Sequence, residues 1–457
     1  MDLAVIGSGG AAMAAAIAAR QAGASVVLIE QGTLGGTCVN VGCVPSKTLL
    51  AAAGARHGAA THPFTGVETS AGGVDLAALV AQKDELVGRL RQAKYADVAD
   101  AYEFPVQPGR VRFRNLETLE VDGRPLRARA YLIATGAVPD VPDLPGLPDV
   151  PYLTSTTAME LTELPESLVV IGAGYVGMEQ AQLFAHLGAR VTIVGRLAPL
   201  AEPELAELLA GVFAEDGVTV VQERATAVVG QAGEVVVTTT SGGQITGQQL
   251  LLATGRRPRT DGLGLNAAGV KADHRGFVVV DEYQRTSNPR IYAAGDVSGA
   301  PQYVYVAAAG GRAAALNALR EDCCAPQARV DYTGLPGVVF TRPQLASAGL
   351  TEAQALAAGH RCECRVLSLA DVPRALANRD TRGAVKVVAD AGTGRVLGVH
   401  ALADGAGEIM LAATYAIKAG MTVDDVADTW APYLTMAESL RIAAGLFRNQ
   451  MPTSCCA

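Results

Sequence analysis

Residues 3–12 read Leu3-Ala4-Val5-Ile6-Gly7-Ser8-Gly9-Gly10-Ala11-Ala12, and the same design returns as Leu168-Val169-Val170-Ile171-Gly172-Ala173-Gly174-Tyr175-Val176-Gly177. Each is an apolar run of strand length that opens into a glycine turn and then a helix-forming stretch. A second strand follows both times, Ser25-Val26-Val27-Leu28-Ile29-Glu30 after the first and Ala189-Arg190-Val191-Thr192-Ile193-Val194 after the second. Strand, glycine turn, helix and strand make a dinucleotide-binding βαβ unit. Gly7 and Gly9 (with Ala12 in the third place), and Gly172, Gly174 and Gly177, let backbone amides approach a pyrophosphate at a helix N-terminus. Glu30 at the end of its strand suits ribose hydroxyls. The second unit has Gly195-Arg196 where an acid would stand; Arg196 can pair with a 2′-phosphate, which favours NADPH there. Two units in one chain imply two bound dinucleotides.

The remaining segments fit around these units. Tyr131-Leu132-Ile133-Ala134-Thr135-Gly136 and Leu250-Leu251-Leu252-Ala253-Thr254-Gly255 end alike, each reading as the strand that closes a nucleotide lobe. Ile291-Tyr292-Ala293-Ala294-Gly295-Asp296 is a strand ending in an acid suited to a ribityl hydroxyl. The stretch Val138 to Pro151, with Pro139, Pro142, Pro145, Pro148 and Pro151, reads as a linker, and a further boundary falls near Asp331 to Gly337. At roughly 150 residues per domain, 457 residues suggest about three domains. A net charge of −8 without a long basic run speaks against nucleic acid as a partner. No apolar stretch reaches the ~18 residues of a membrane span, and the start lacks a basic n-region, so a cytoplasmic protein is expected.

Eight cysteines fall in close pairs: Cys38/Cys43, Cys323/Cys324, Cys362/Cys364 and Cys455/Cys456. In a long chain expected in the cytoplasm, thiol chemistry or metal binding explains them better than a disulfide scaffold. The first pair sits in Gly35-Gly36-Thr37-Cys38-Val39-Asn40-Val41-Gly42-Cys43-Val44-Pro45-Ser46-Lys47. Pro45 suits the first turn of a helix, which places Cys43 at the positive end of the macrodipole. With Lys47 one turn later, that environment favours a thiolate beside a second thiol, a redox pair.

The run Gly-Gly-Thr-Cys-x4-Cys-x-Pro-Ser-Lys resembles the active site of the flavoprotein disulfide reductases, the class I pyridine nucleotide-disulfide oxidoreductases, and the resemblance extends in order along essentially the whole chain. It implies an α/β fold with two Rossmann-like domains, for FAD and NADPH, and a C-terminal α+β interface domain. The boundaries are then 1–145 with 256–332 for FAD, 146–255 for NAD(P)H and 333–457 for dimerisation. The family implies a homodimer with a composite site, and an electron path from NADPH through FAD to a Cys38–Cys43 disulfide. By position, Cys43 resembles the charge-transfer thiolate and Cys38 the exchange thiol. Lys47 resembles the lysine near flavin N5, Glu179 its partner, and Tyr175 the residue gating the nicotinamide pocket. FAD contacts map onto Ala12, Glu30, Gly32, Thr37, Val111, Asp296 and Val304, alongside Gly7, Gly9, Thr135 and Gly136; Gly255 joins the nicotinamide side.

Members that reduce disulfides carry His-Pro-Thr-x-x-Glu near the C-terminus, and the histidine moves protons. The matching stretch here is Tyr433-Leu434-Thr435-Met436-Ala437-Glu438. A phenol with an ordinary pKa near ~10 is a poor proton shuttle at neutral pH, which argues against a dithiol substrate. The terminal Cys455-Cys456 is a soft ligand pair able to hand a soft metal to Cys38 and Cys43. Both features resemble the Hg(II)-reducing branch of the family, the mercuric reductases, with Hg(II) as substrate and Cys38, Cys43, Cys455 and Cys456 as its ligands. Rival readings are a disulfide reductase of the thioredoxin reductase or dihydrolipoamide dehydrogenase type, and a non-catalytic metal-sequestering protein.

Overall fold

The computed structural model describes residues 1–320 and 326–448. The chain starts with β1 (Leu3–Ile6), α1 (Gly10–Gln21) and β2 (Val26–Glu30). All four residues of β1 and the first four of β2 are buried, the pattern of parallel strands covered on both faces. The connection continues through α2 (Gly36–Asn40), α3 (Cys43–Ala60), α4 (Leu76–Arg91), β3 (Val106–Pro108) and β4 (Ala130–Ile133).

The second lobe runs through β5 (Leu153–Thr154), β6 (Ser167–Ile171), α5 (Tyr175–Leu187), β7 (Arg190–Val194), α6 (Pro203–Glu215), β8 (Thr219–Val221) and β9 (Gln249–Leu252). Its parallel sheet has the order β8-β7-β6-β9-β5. The chain then returns with β10 (Ile291–Ala293), which completes a first parallel sheet of order β10-β4-β1-β2-β3. The crossing is made by an antiparallel ribbon in which Arg256–Pro258 pairs with Ala137–Pro139. Helix α7 (Val304–Leu319) follows and lies on α1. Ala11, Ala15, Ala18, Ala314 and Ala315 share one core there, and alanines at such a contact let the two helices approach closely.

The third sheet is antiparallel. It comprises β11 (Pro336–Val339), β12 (Gln344–Gly349), then α8 (Glu352–Ala357), β13 (Cys362–Ser368), β14 (Ala384–Asp390) and β15 (Val396–Ala403), in the order β11-β12-β15-β14-β13. Helices α9 (Ala406–Ala419) and α10 (Glu438–Gly445) cover one face, where Ile409, Met410 and Ile442 meet Val385, Val387 and Val399. Among the described residues, no helix is long and apolar enough to cross a membrane.

The helices that open the two nucleotide turns carry no side-chain cap. Asp75 caps α4 by accepting from the Ala78 N–H at 2.9 Å, whereas α1 and α5 begin after Gly9 and Gly174 with no side-chain cap. Their first amides keep their donors for a ligand, and the dipole makes that ligand an anion.

Candidate active site

Cys38 lies within α2 and Cys43 opens α3, so one tight turn through Gly42 brings the two thiols together. Gly36 is required there: a Cβ would stand 2.6 Å from the Gly9 Cα, so the thiol segment is pressed against the first nucleotide turn. Asn40 ties the segment down, its amide donating to the carbonyls of Leu34 and Gly36, both at 2.9 Å. The two cysteines are free thiols, Cys43 exposed and Cys38 half-buried. A hydrogen bond from Cys38 lowers Cys43 to about 7, against the cost of burial and with help from the Lys47 charge. The same hydrogen bond pushes Cys38 far up, and burial adds to it. The pair therefore holds one proton and one negative charge near neutrality.

Lys47 follows one turn after Cys43. Its ammonium meets Glu179 Oε2 at 2.7 Å and lies 4.4 Å from the centre of the Phe340 ring. Glu179, on α5, uses its other oxygen to accept the Phe340 N–H at 3.0 Å. Tyr175 opens α5 and is hydrogen-bonded to Tyr303, whose ring stacks on Tyr305 at 5.1 Å. Burial raises both Tyr303 and Tyr305, the latter to about 12, and the Cys43 charge contributes to Tyr305. A π-turn at Gln92–Ala96 brings Tyr95 against Gly35, and burial, then the two thiols, raises Tyr95 to about 12.

The first nucleotide lobe has a cavity of about 340 Å³ lined by Gly7, Glu30, Val111 and Thr135 among others. Glu30 accepts from Ser8 Oγ at 2.6 Å and from the Gly32 N–H at 2.7 Å. Each carboxylate oxygen keeps a lone pair for a ribose hydroxyl. Ala12 is buried within α1, Thr37 sits in α2, and Val304 starts α7 against Gly10. Asp296 lies 3.6 Å from the Arg256 Nε, which is buried without a hydrogen-bond partner among the described residues. Burial raises Asp296 and lowers Arg256. An uncapped helix start, a guanidinium Nε without a partner and a desolvated acid fit FAD: pyrophosphate at α1, ribose at Glu30, a polar hydroxyl chain at Asp296.

The second lobe repeats the plan. A Cβ on Gly177 would stand 1.9 Å from the Gly172 oxygen, so the turn closes onto α5 only with glycine there. The Gly174 end is open, with nothing within 4 Å of a Cβ placed on it. Arg196 is exposed just past β7, next to Gly195. Thr135 and Thr254 donate to the carbonyls of Arg259 and Asp140, locking the ribbon beside Gly136 and Gly255. These parts fit a nicotinamide dinucleotide carrying a 2′-phosphate.

Towards the C-terminus Tyr433 is 51% exposed, close in sequence to Trp430 at 98%. Glu438 is buried; one oxygen accepts from Arg441 at 3.3 Å and the other has no hydrogen-bond partner among the described residues. Cys455 and Cys456, with Cys323 and Cys324, lie outside the described residues. Sequence reasoning missed Phe340, Arg256, Tyr95 and the Tyr303/Tyr305 stack. Only the last had a local signal, two tyrosines two residues apart, the first seven positions beyond Asp296 of the Gly295-Asp296 motif.

Twin dinucleotide lobes meeting at a thiol pair define a flavin- and nicotinamide-dependent oxidoreductase. The chain belongs to the pyridine nucleotide-disulphide oxidoreductase family, which it matches over residues 1–311, with that family's dimerisation domain matched over 335–444. The family is FAD- and NADPH-dependent, and the dimerisation domain makes the homodimer its assembly. Among its relatives, a mercuric reductase of Streptomyces lividans is 54% identical, covering 100% of this chain and 98% of its own. One from Lysinibacillus sphaericus is 47% identical over 100% of this chain and 84% of its own. Among solved structures, an HOCl-induced flavoprotein disulfide reductase from Escherichia coli superposes with TM-score 0.86 at 30% identity, covering 98% of this chain and 100% of its own.

Proposed function

We propose that the protein reduces Hg(II) to Hg(0) with electrons from NADPH, through FAD and the Cys38/Cys43 pair. The observation that carries this reading is the dithiol with its single low-pKa member, Cys43 at about 7, in a chain with Tyr433 where dithiol-exchanging members have histidine. Full-length relatives named mercuric reductase support the same substrate. Bound in the two lobes, the cofactors supply two electrons to the thiol pair.

The chain's own residues do the rest. Cys43 thiolate takes the metal first, and Cys38 joins it by giving up its proton, so a linear bis-thiolate forms with loss of that proton. Lys47 and the start of α3 hold the negative charge of Cys43 until the metal arrives. The Glu179 contact keeps Lys47 pointed at this place. Net, NADPH and Hg²⁺ give NADP⁺, Hg⁰ and H⁺.

Within this reading the FAD unit comprises 1–145 and 256–332, the nicotinamide unit 146–255 and the interface unit 333–457. Cys455 and Cys456 deliver the metal, and Tyr433 and Glu438 complete the partner's site. Free thiols fed by NADPH suit the reducing cytoplasm.

A second reading, disulfide reduction, is favoured by the 30% identity to a flavoprotein disulfide reductase. Anaerobic NADPH oxidation separates the two, with Hg(II) in excess thiol, oxidised glutathione, lipoamide or thioredoxin as acceptor. Turnover with Hg(II) alone is expected; turnover with a disulfide and none with Hg(II) overturns the proposal. Cys455→Ala with Cys456→Ala is expected to slow Hg(II) turnover when bulky thiols hold the metal, and full activity there removes the tail from the reaction.

A further inference from the structure

Cys362 and Cys364 have no part in the site above, yet their surroundings are built. They lie on β13, the end strand of the third sheet, in register with Asp390 and Val388 of β14. Residues two apart on a strand share a face, so both thiols lie on the face that carries Lys386, which pairs with Val366. That face holds an excess of negative charge. Lys386 is 1% exposed, and its ammonium meets Glu202 at 2.9 Å, Glu204 at 2.9 Å and Glu352 at 2.7 Å. Three carboxylates thus face one ammonium. His400, beside them, has its pKa lowered by burial and does not restore the balance.

The thiols sit at the rim of this network. Cys364 is hydrogen-bonded to Glu352, and Cys362 lies near Glu352 and Asp390, with its Sγ 4.0 Å from the His360 carbonyl. Burial and the Glu352 charge raise both thiols, Cys364 to about 12. They are therefore poor nucleophiles towards neutral electrophiles, while a cation is drawn to the carboxylates and displaces the thiol protons itself.

Spacing selects among the products. Two residues apart on a strand, Cα atoms stand about 6.7 Å apart with side chains roughly parallel, whereas a disulfide brings Cβ atoms to about 3.8 Å. Two thiolates on a linear two-coordinate cation stand roughly 4.6 Å apart, twice a metal–sulfur bond of ~2.3 Å. The strand holds this pair too far apart to oxidise internally and close enough to chelate.

We propose that Cys362 and Cys364 form a second soft-cation site, which binds one two-coordinate thiophilic ion of the Hg(II) type as a bis-thiolate. Two thiols and one Hg²⁺ give one bridged bis-thiolate and two protons, with no change of oxidation state. The site stands independently of the reaction proposed for the Cys38/Cys43 pair.

The test is equilibrium dialysis of the whole flavin-loaded chain against Hg(II) in a fixed excess of glutathione, counting metal per flavin. Glutathione in excess strips metal held by one protein thiol and leaves the chelate. Cys362→Ser and Cys364→Ser, each alone, are expected to bind one equivalent fewer than the parent, the two protein thiol protons passing in the parent to the two glutathione thiolates displaced from the metal. NADPH-driven turnover at saturating Hg(II) is expected to stay within about twofold. The alanine variants serve as a second pair, and the flavin spectrum reports folding. Unchanged stoichiometry in the single variants overturns the proposal. So does a mild oxidant that removes two hydrogens from the peptide bearing both cysteines, because the pair then closes to a disulfide.

Discussion

Lys47 and Glu179, 132 residues apart in sequence, are joined at 2.7 Å. The contact links the second turn of the thiol helix α3 to the second turn of α5, the helix of the nicotinamide lobe. Because Glu179 also accepts the Phe340 N–H, one carboxylate ties together the thiol segment, the second lobe and the third sheet. Electrostatic control of Cys43 is thereby coupled to the assembly of all three.

Reactivity of the reduced pair should follow the Cys43 thiolate. Its pKa is lowered, so the thiolate is present above about 7 and lost as pH falls through it. Alkylation by iodoacetamide is expected to fall about tenfold per pH unit below that point and to level off above it. Cys38→Ala removes the largest cause of the shift and should move the inflection upward, Lys47→Ala less so. An inflection that already lies near an ordinary thiol value in the parent contradicts the arrangement.

Glu179→Gln keeps the shape and removes the charge. Lys47 loses its anchor, and kcat for NADPH-driven turnover is expected to fall roughly tenfold or more, about 1.4 kcal/mol in the barrier. Flavin content should be unchanged. A stopped-flow trace as fast as the parent's would show that the ion pair is ornamental.

Gly177→Ala places a methyl where the Gly172 oxygen stands 1.9 Å away. The second turn must open, so NADPH should no longer bleach the flavin at concentrations saturating for the parent. The protein should still purify yellow, because the first lobe is untouched. Normal bleaching would mean that the turn yields more easily than its packing implies.

Arg196→Ala is expected to weaken NADPH about tenfold, ~1.4 kcal/mol, with little change for NADH. Steady-state KM values for the two cofactors decide this. Equal losses would remove the 2′-phosphate contact.

Lys386→Met strands Glu202, whose side chain is 3% exposed, without its ammonium. A destabilisation of roughly 3 kcal/mol is expected, seen as a fall in Tm by calorimetry. Glu204 and Glu352, 45% and 42% exposed, contribute little of it. The fall should be smaller in the Glu202→Gln background, since no buried charge is then left alone.

What the sequence made legible was whatever the local chain determines. The apolar runs 3–6 and 168–171, the glycine turns behind them, and the Cys38/Cys43 spacing with Pro45 and Lys47 are all fixed within a few residues. The choice of Glu179 as the lysine's partner came from resemblance, since nothing near residue 179 in the chain announces it. Phe340 and Arg256 were invisible because their roles arise where distant segments meet: Phe340 offers a backbone N–H and a ring face, and Arg256 is notable only for being buried. Lys386 was hidden for the same reason. In sequence it is one more charge in an apolar strand, and only strand register with α8 and the start of α6 shows three carboxylates around it.

The unequal thiols of the central pair have an effect on overall charge. Near neutrality the dithiol carries a single negative charge, because the hydrogen bond that frees Cys43 keeps the proton on Cys38. Binding a dication removes that proton and leaves two thiolates against two positive charges, so the complex is electrically neutral. An uncharged disulfide brings no such compensation when Cys38 gives up its proton, and needs a separate base. With Tyr433 where that base would stand, the pocket is balanced for a guest that carries its own countercharge.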